Sequence, residues 1–259
     1  MEFAQLSIEL ILFLLVISAL AGFIDSLAGG GGLIVLPALI ISGVSPLAAL
    51  GTNKLQGTMG TATAALMMFK SRTIHFETIK YLMLSAFIGA VVGTVIVQFI
   101  DTRFLSFIIP AVLLFIGLYF LFAPTPQNDT TTPVLSSRKY NRLIVPSIGC
   151  YDGMFGPGTG SFFTLAGVSL KGRNLIASTA EAKPLNFATN IASLIVFIVA
   201  GKVVWAIGFI MMFGQVIGAW AGSHCLLSIN PKYLRVLVVV MCFGMLIKYS
   251  ASMGWLGDL

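Results

Sequence analysis

Asp25-Ser26-Leu27-Ala28-Gly29-Gly30-Gly31-Gly32 interrupts one of the most apolar stretches of the chain, and its pattern returns as Asp152-Gly153-Met154-Phe155-Gly156-Pro157-Gly158-Thr159-Gly160. Both follow Gly-x-x-Asp-x-x-x-Gly-x-Gly, counted from Gly22 and from Gly149. A carboxylate beside a glycine break, placed twice inside hydrophobic sequence, is the pattern of a helix-interrupting ligand site in a membrane protein with two related halves.

Composition sets the class. With 58% hydrophobic and 9% charged residues among 259, and a mean hydropathy of +0.99, the chain cannot coat a soluble fold with polar groups. The apolar stretches 6–24, 76–99, 103–122 and 203–227 reach the roughly 20 residues a helical crossing needs. They lack the alternating polar residues of a barrel strand, so the expected class is all-α, multi-pass, with the lipid bilayer as partner. Met1-Glu2-Phe3 carries no basic region, which predicts a retained first helix rather than a signal peptide.

The net charge of +6 would suggest nucleic acid in a soluble protein, but most basic residues fall between apolar segments, and no nucleic-acid partner is expected. Lys70, Arg72, Arg138, Lys139, Arg142, Lys202 and Lys248 mark one set of loops; Arg103, Lys171, Arg173, Lys232 and Arg235 mark the other. The first set is richer. By the positive-inside bias this predicts cytoplasmic termini and a cytoplasmic central linker.

That linker is Pro124-Thr125-Pro126-Gln127-Asn128-Asp129-Thr130-Thr131-Thr132-Pro133, a polar, proline-bearing segment. It divides the chain into a first repeat 1–123, a linker 124–140 and a second repeat 141–259. Asn53-Lys54-Leu55-Gln56 corresponds to Ala182-Lys183-Pro184-Leu185, and Gly89/Gly93 to Gly214/Gly218. Order-preserving similarity of this kind signals duplication. In each half one helix is broken by glycine (6–24 then 33–42; 143–155 then 161–170), the next carries the lysine (46–69; 175–200), and two plainer helices follow. The expected sum is two four-helix halves with about eight crossings, related in parallel. Should the breaks turn back as re-entrant hairpins, an inverted relationship becomes possible.

Glycine runs open a helix and free amide N–H groups at the next helix start, where the dipole favours an anion. Gly29, Gly30, Gly31 and Gly32, with the Leu33 amide, are therefore one candidate anion cradle, and Gly156, Gly158, Thr159, Gly160 and Ser161 the other. Gly89/Gly93 and Gly214/Gly218 read instead as close helix packing, or as an oligomer contact. Lys54 and Lys183 sit in apolar helices where a charge costs at least about 2.5 kcal/mol, so each should face a cavity or a partner. Thr52, Asn53, Asn186 and Thr189 could orient a bound oxyanion. Alternatively, Lys54 pairs with Asp25, and Lys183 with Asp152 or Glu181. The acids Asp25, Asp152 and Glu181 are candidates for coupling to H+ or Na+, or else simply tether the broken ends. Cys150, Cys225, Cys242, His75 and His224 show no metal-ligand spacing, so no metal and no cofactor are expected. No nucleophile is paired with a base, which leaves a secondary transporter or a channel ahead of an enzyme.

Gly22-Phe23-Ile24-Asp25-Ser26-Leu27-Ala28-Gly29-Gly30-Gly31-Gly32-Leu33 with Thr52-Asn53-Lys54-Leu55-Gln56 resembles the N-terminal signature of the sulfite exporter TauE/SafE family of membrane permeases. Tyr151-Asp152-Gly153-Met154-Phe155-Gly156-Pro157-Gly158-Thr159-Gly160-Ser161-Phe162 with Ala180-Glu181-Ala182-Lys183 resembles that family's second repeat. The resemblance implies an inner-membrane carrier of sulfite, sulfonates or related small organic anions, with both glycine motifs and both lysines along the path. The halves differ in having Pro157 where the first has Gly30, and Glu181 where it has Thr52, so an asymmetric site is expected.

Overall fold

The computed structural model describes residues 7–122 and 132–225, with individual helical residues between 236 and 251. Lys232, Arg235, Cys242, Lys248 and most of the linker lie outside the described residues. Every regular element among the described residues is helical: α1 (Ile8–Ala28), α2 (Gly32–Ile41), α3 (Pro46–Lys70), α4 (Phe76–Gln98), α5 (Thr102–Phe122), α6 (Ser137–Lys139), α7 (Val145–Met154), α8 (Thr159–Lys171), α9 (Leu175–Val199) and α10 (Trp205–Cys225). A π-helical stretch, Tyr140–Ile144, joins α6 to α7, so the helical run starts within the segment assigned to the linker.

Local chemistry sets these bounds. The Ser7 hydroxyl accepts the Leu10 N–H at α1, Pro46 opens α3, and Asn174 Oδ1 accepts the Ala177 N–H at α9, each a standard helix start. Among the described residues, four helices are long and apolar enough to cross a membrane: α1, α4, α9 and α10. Leu84, Ile88 and Val92 of α4, and Phe213, Ile217 and Trp220 of α10, are exposed, as side chains facing hydrocarbon would be.

Glycine contacts give the helix directions. Gly89 of α4 meets Pro146 and Gly93 meets Cys150, so α4 and α7 run parallel; Gly214 meets Leu15 and Gly218 meets Ala19, so α1 and α10 do too. These are the close approaches that the paired glycines promised. Gly208 of α10 meets Leu55 and Gly60 of α3 meets Gln215, a parallel pair, whereas Gly51 of α3 meets Phe197 and Gly57 meets Asn190, an antiparallel one. Reciprocal packing results: α1 lies on α10 and α7 on α4, while α3 and α9 cross at the centre.

At both breaks the chain turns back. Gly31 approaches Ala21 and Asp25 of α1. The Val134 and Leu135 amides bond to the Leu170 carbonyl at the far end of α8, both at 3.1 Å. The start of α6 and the end of α8 therefore share one end of the bundle, with Lys70, Arg72 and the start of α9. Grouping basic residues by straight crossings set Lys171 and Arg173 opposite Arg138 and Lys139; the hairpin places all four together. Lys202, grouped with them by that count, lies at the other end, as does Ile8.

Candidate functional site at the crossing of two helix breaks

α1 ends where Gly29 adopts φ +74, a left-handed cap that a Cβ would strain. Its N–H bonds to the Asp25 carbonyl at 2.9 Å. The Asp25 carboxylate then reaches across the gap, Oδ1 accepting the Gly31 N–H at 3.2 Å. The Leu33 amide turns to the Gly30 carbonyl at 3.0 Å. Of the five amides expected to cradle an anion, Gly29, Gly31 and Leu33 are thus engaged within the protein, and a side-chain carboxylate holds the helix-start position.

The second break, between α7 and α8, passes through Gly156 at φ +94 and Gly158 at φ +78. The Thr159 hydroxyl lies 2.6 Å from Asp152 Oδ1 and 2.7 Å from the Gly156 carbonyl, and the Tyr151 hydroxyl donates to the Pro157 carbonyl at 2.6 Å. Asp25 and Asp152 both tether the broken ends. The two breaks touch. Gly29 packs against the Gly160–Ser161 backbone, Gly32 against Pro157, and the Ser161 hydroxyl donates to the Ala28 carbonyl.

Both lysines arrive at this crossing, each serving the other break. Lys54 Nζ of α3 stands 2.9 Å from Asp152 Oδ1. Lys183 Nζ of α9 donates to the Asp25 carbonyl at 2.7 Å, the C-terminal, negative end of the α1 dipole. They are 1% and 2% exposed. Pairing inside each half, Lys54 with Asp25 and Lys183 with Asp152 or Glu181, is not what the structure shows, because the folded-back hairpins cross. Asn53 Nδ2 borders Gly32 and Asn186 Nδ2 borders Gly160. Asn53 Oδ1 accepts from Gln56, and the Asn186 carbonyl from Thr189 and Asn190.

Two expected residues point elsewhere. The Thr52 hydroxyl donates to the Ala48 carbonyl at 2.7 Å and accepts the Val204 N–H at 3.0 Å, fastening α3 to the start of α10. Glu181 is bound by Arg173 in the basic end of the bundle. Gln56 Oε1 and Gln215 Oε1, both buried without a hydrogen-bond partner, were not anticipated; an uncharged amide in an apolar helix was the available signal. An apolar recess lined by Ile108, Val112, Phe115, Tyr151 and Phe162 lies beside the second break and contains neither lysine.

A family profile described as Sulfite exporter TauE/SafE matches residues 14–249, a span that takes in both breaks and both lysines. The chain belongs to the TauE/SafE family. Similar chains include the Probable membrane transporter protein of Haemophilus influenzae, 40% identical over 97% of this chain and 98% of its own. The Probable membrane transporter protein YfcA of Escherichia coli K12 is 40% identical over 87% and 84%, and ORF9 of Sinorhizobium sp 38% over 96% and 95%. No solved structure matches. Family and relatives together indicate a multi-pass membrane transporter.

Proposed function

We propose that this TauE/SafE chain is a secondary transporter moving a small sulfur-containing or organic anion, such as sulfite or a sulfonate, by alternating access about the crossing of its two breaks. The observation that carries this is the convergence of two buried ammonium groups, Lys54 and Lys183, on two interrupted helices that meet at Gly29 and Gly160. Intramembrane charge and irregular backbone are costly, and they persist where they are paired, buried in protein or lining a solute path. The Gly30 and Gly32 amides, Gly156, Gly158, Gly160, Asn53 and Asn186 lie where they can orient its oxygens. Thr52 and Glu181 are left out of this set.

The helix directions support two inverted halves. Five segments, α1 to α5, precede the linker, and α7 to α10 with the helical residues after 236 follow it; an odd number per half reverses the second. In that arrangement Lys70, Arg72, Lys80, Arg138, Lys139, Arg142, Lys171 and Arg173 share one end, against Arg103 and Lys202 at the other. The positive-inside bias then favours a cytoplasmic linker and an N-terminus on the far side, which reverses the terminus placement drawn from straight crossings.

The test is flux in proteoliposomes loaded with labelled sulfite and methanesulfonate. Wild type should show saturable, gradient-driven transport, and Lys54→Ala and Lys183→Ala at least a tenfold loss. Unchanged flux in both variants would remove the site.

A further inference from the structure

The carboxylate of Asp152, 1% exposed, has two oxygens in unlike surroundings. Oδ1 meets the Thr159 hydroxyl and the Lys54 ammonium; Oδ2 is buried with no hydrogen-bond partner. Lys54 Nζ, 2.9 Å from Oδ1, carries three N–H donors, so one carboxylate oxygen leaves donors over for a ligand. Gly156 borders both: a Cβ there would lie 3.2 Å from Nζ and 3.4 Å from Oδ1.

A buried donor and a buried bare acceptor at one place call for a ligand that answers both. A fully ionised oxyanion answers Lys54 and repels Oδ2. Sodium answers Oδ2 and is repelled by Lys54. An oxyanion accompanied by one proton answers both, whether that proton sits on the anion or on the carboxylate. Charge balance points the same way. Lys54 and Lys183 against Asp25 and Asp152 leave the crossing neutral, and a monoanion entering alone would leave an uncompensated charge in a low dielectric.

We propose that Lys54 and Asp152 take up the anion together with one proton, held between Asp152 Oδ2 and an anion oxygen, so that Asp152 is the coupling group and H+ the coupling ion. This rests on the anion-transport reading above and adds its ion, residue and one-to-one count. The bond that forms and breaks is O–H: Asp152 Oδ2 takes a proton from water on the side where the anion enters and returns it to water on the side where the anion leaves. The other acids are committed, Asp25 Oδ1 to the Gly31 N–H and Glu181 to Arg173. The groups around Asp152 are Lys54 on α3, Asp25 on α1 with Lys183 of α9 beside it, Tyr151 on its own helix, and Thr159 on α8. From α4 comes Thr94, whose hydroxyl donates to the Ala90 carbonyl and approaches the Gly153 carbonyl.

The experiment uses the full chain in vesicles containing a pH dye, with methanesulfonate, which carries no titratable proton near neutrality, and sulfite as probes. Wild-type methanesulfonate flux should rise about tenfold per pH unit lowered where protonation limits it, acidify the receiving side, and ignore sodium. Asp152→Asn keeps an oxygen for Thr159 and sets an N–H donor where Oδ2 stood. It should still be thermally stabilised by methanesulfonate, move no proton, and vary less than twofold over the same pH range. Glu181→Gln, at an acid paired with Arg173 and outside the charge balance of the crossing, should keep the slope. Retained slope or acidification in Asp152→Asn, their loss in Glu181→Gln, or sodium dependence overturns the proposal. If Asp152→Asn does not fold, wild-type calorimetry in two buffers of different ionisation heat decides: one proton taken up per methanesulfonate bound supports it, none refutes it. Wild type that neither binds nor moves either probe refutes the anion-transport reading itself, and this proposal with it.

Discussion

Replacing Lys54 by methionine isolates the energetics of the buried pair. Methionine keeps much of the lysine stem, so the volume change is small, while the ammonium is lost and Asp152 is left charged in the interior. The two side chains are 1% and 2% exposed, so water does not screen the loss. Breaking a buried pair from one side costs about 3–5 kcal/mol. At about 2–4 °C per kcal/mol for a chain of this size, the apparent Tm should fall by roughly 6–20 °C. Lys54→Met combined with Asp152→Asn removes both charges and keeps an acceptor for the Thr159 hydroxyl; it should return to within about 1 kcal/mol of wild type. Thermal unfolding of the detergent-solubilised protein, followed by intrinsic fluorescence, reads all three. A double variant as unstable as Lys54→Met, or a single variant within about 2 °C of wild type, would refute the claim that the contact is an energetically coupled ion pair.

Two further outcomes follow from the breaks and the helix directions. Gly29→Ala should destabilise far more than Gly201→Ala in the same unfolding assay. Both glycines have positive φ, +74 and +66, costing about 1–2 kcal/mol each, but a Cβ on Gly29 runs into the Gly160–Ser161 backbone whereas one on Gly201 meets nothing within 4 Å; overpacking adds about 1–3 kcal/mol. In a background with the native cysteines replaced, a membrane-impermeant maleimide added to intact cells should label Lys202→Cys and spare Arg72→Cys; the reverse pattern would invert the orientation.

Helix extents were legible because their causes are local. Pro46 and Lys70 bound α3 as the lysine-bearing stretch 46–69 suggested, and the glycines end α1 and α7 close to the expected positions. Direction was not legible, since a glycine run permits a kink and a reversal alike; the difference lies in contacts such as Leu170 with Val134. Thr52 and Glu181 turn away from the lysines for a geometric reason. Residues two apart on a helix face nearly opposite ways, so with Lys54 and Lys183 turned to the crossing, Thr52 faces the start of α10 and Glu181 faces Arg173.

The lysines exchange partners, so neither break is held by its own half of the chain alone. Lys54 with Asp25, and Lys183 with Asp152, would make each segment set neutral, and spacing along the chain favours that pairing. Yet the Asp25 carboxylate is drawn to the Gly31 amide across its own break, leaving the α1 carbonyl end as the acceptor for Lys183. At the second break Thr159 holds Asp152 Oδ1 in place, where Lys54 meets it from α3. An ion pair thus spans the seam on one side, and an ammonium–dipole contact spans it on the other. Movement of α7 against α3, or of α1 against α9, therefore alters a contact made by one of the lysines, which ties the geometry of the seam to the electrostatics a solute would meet there.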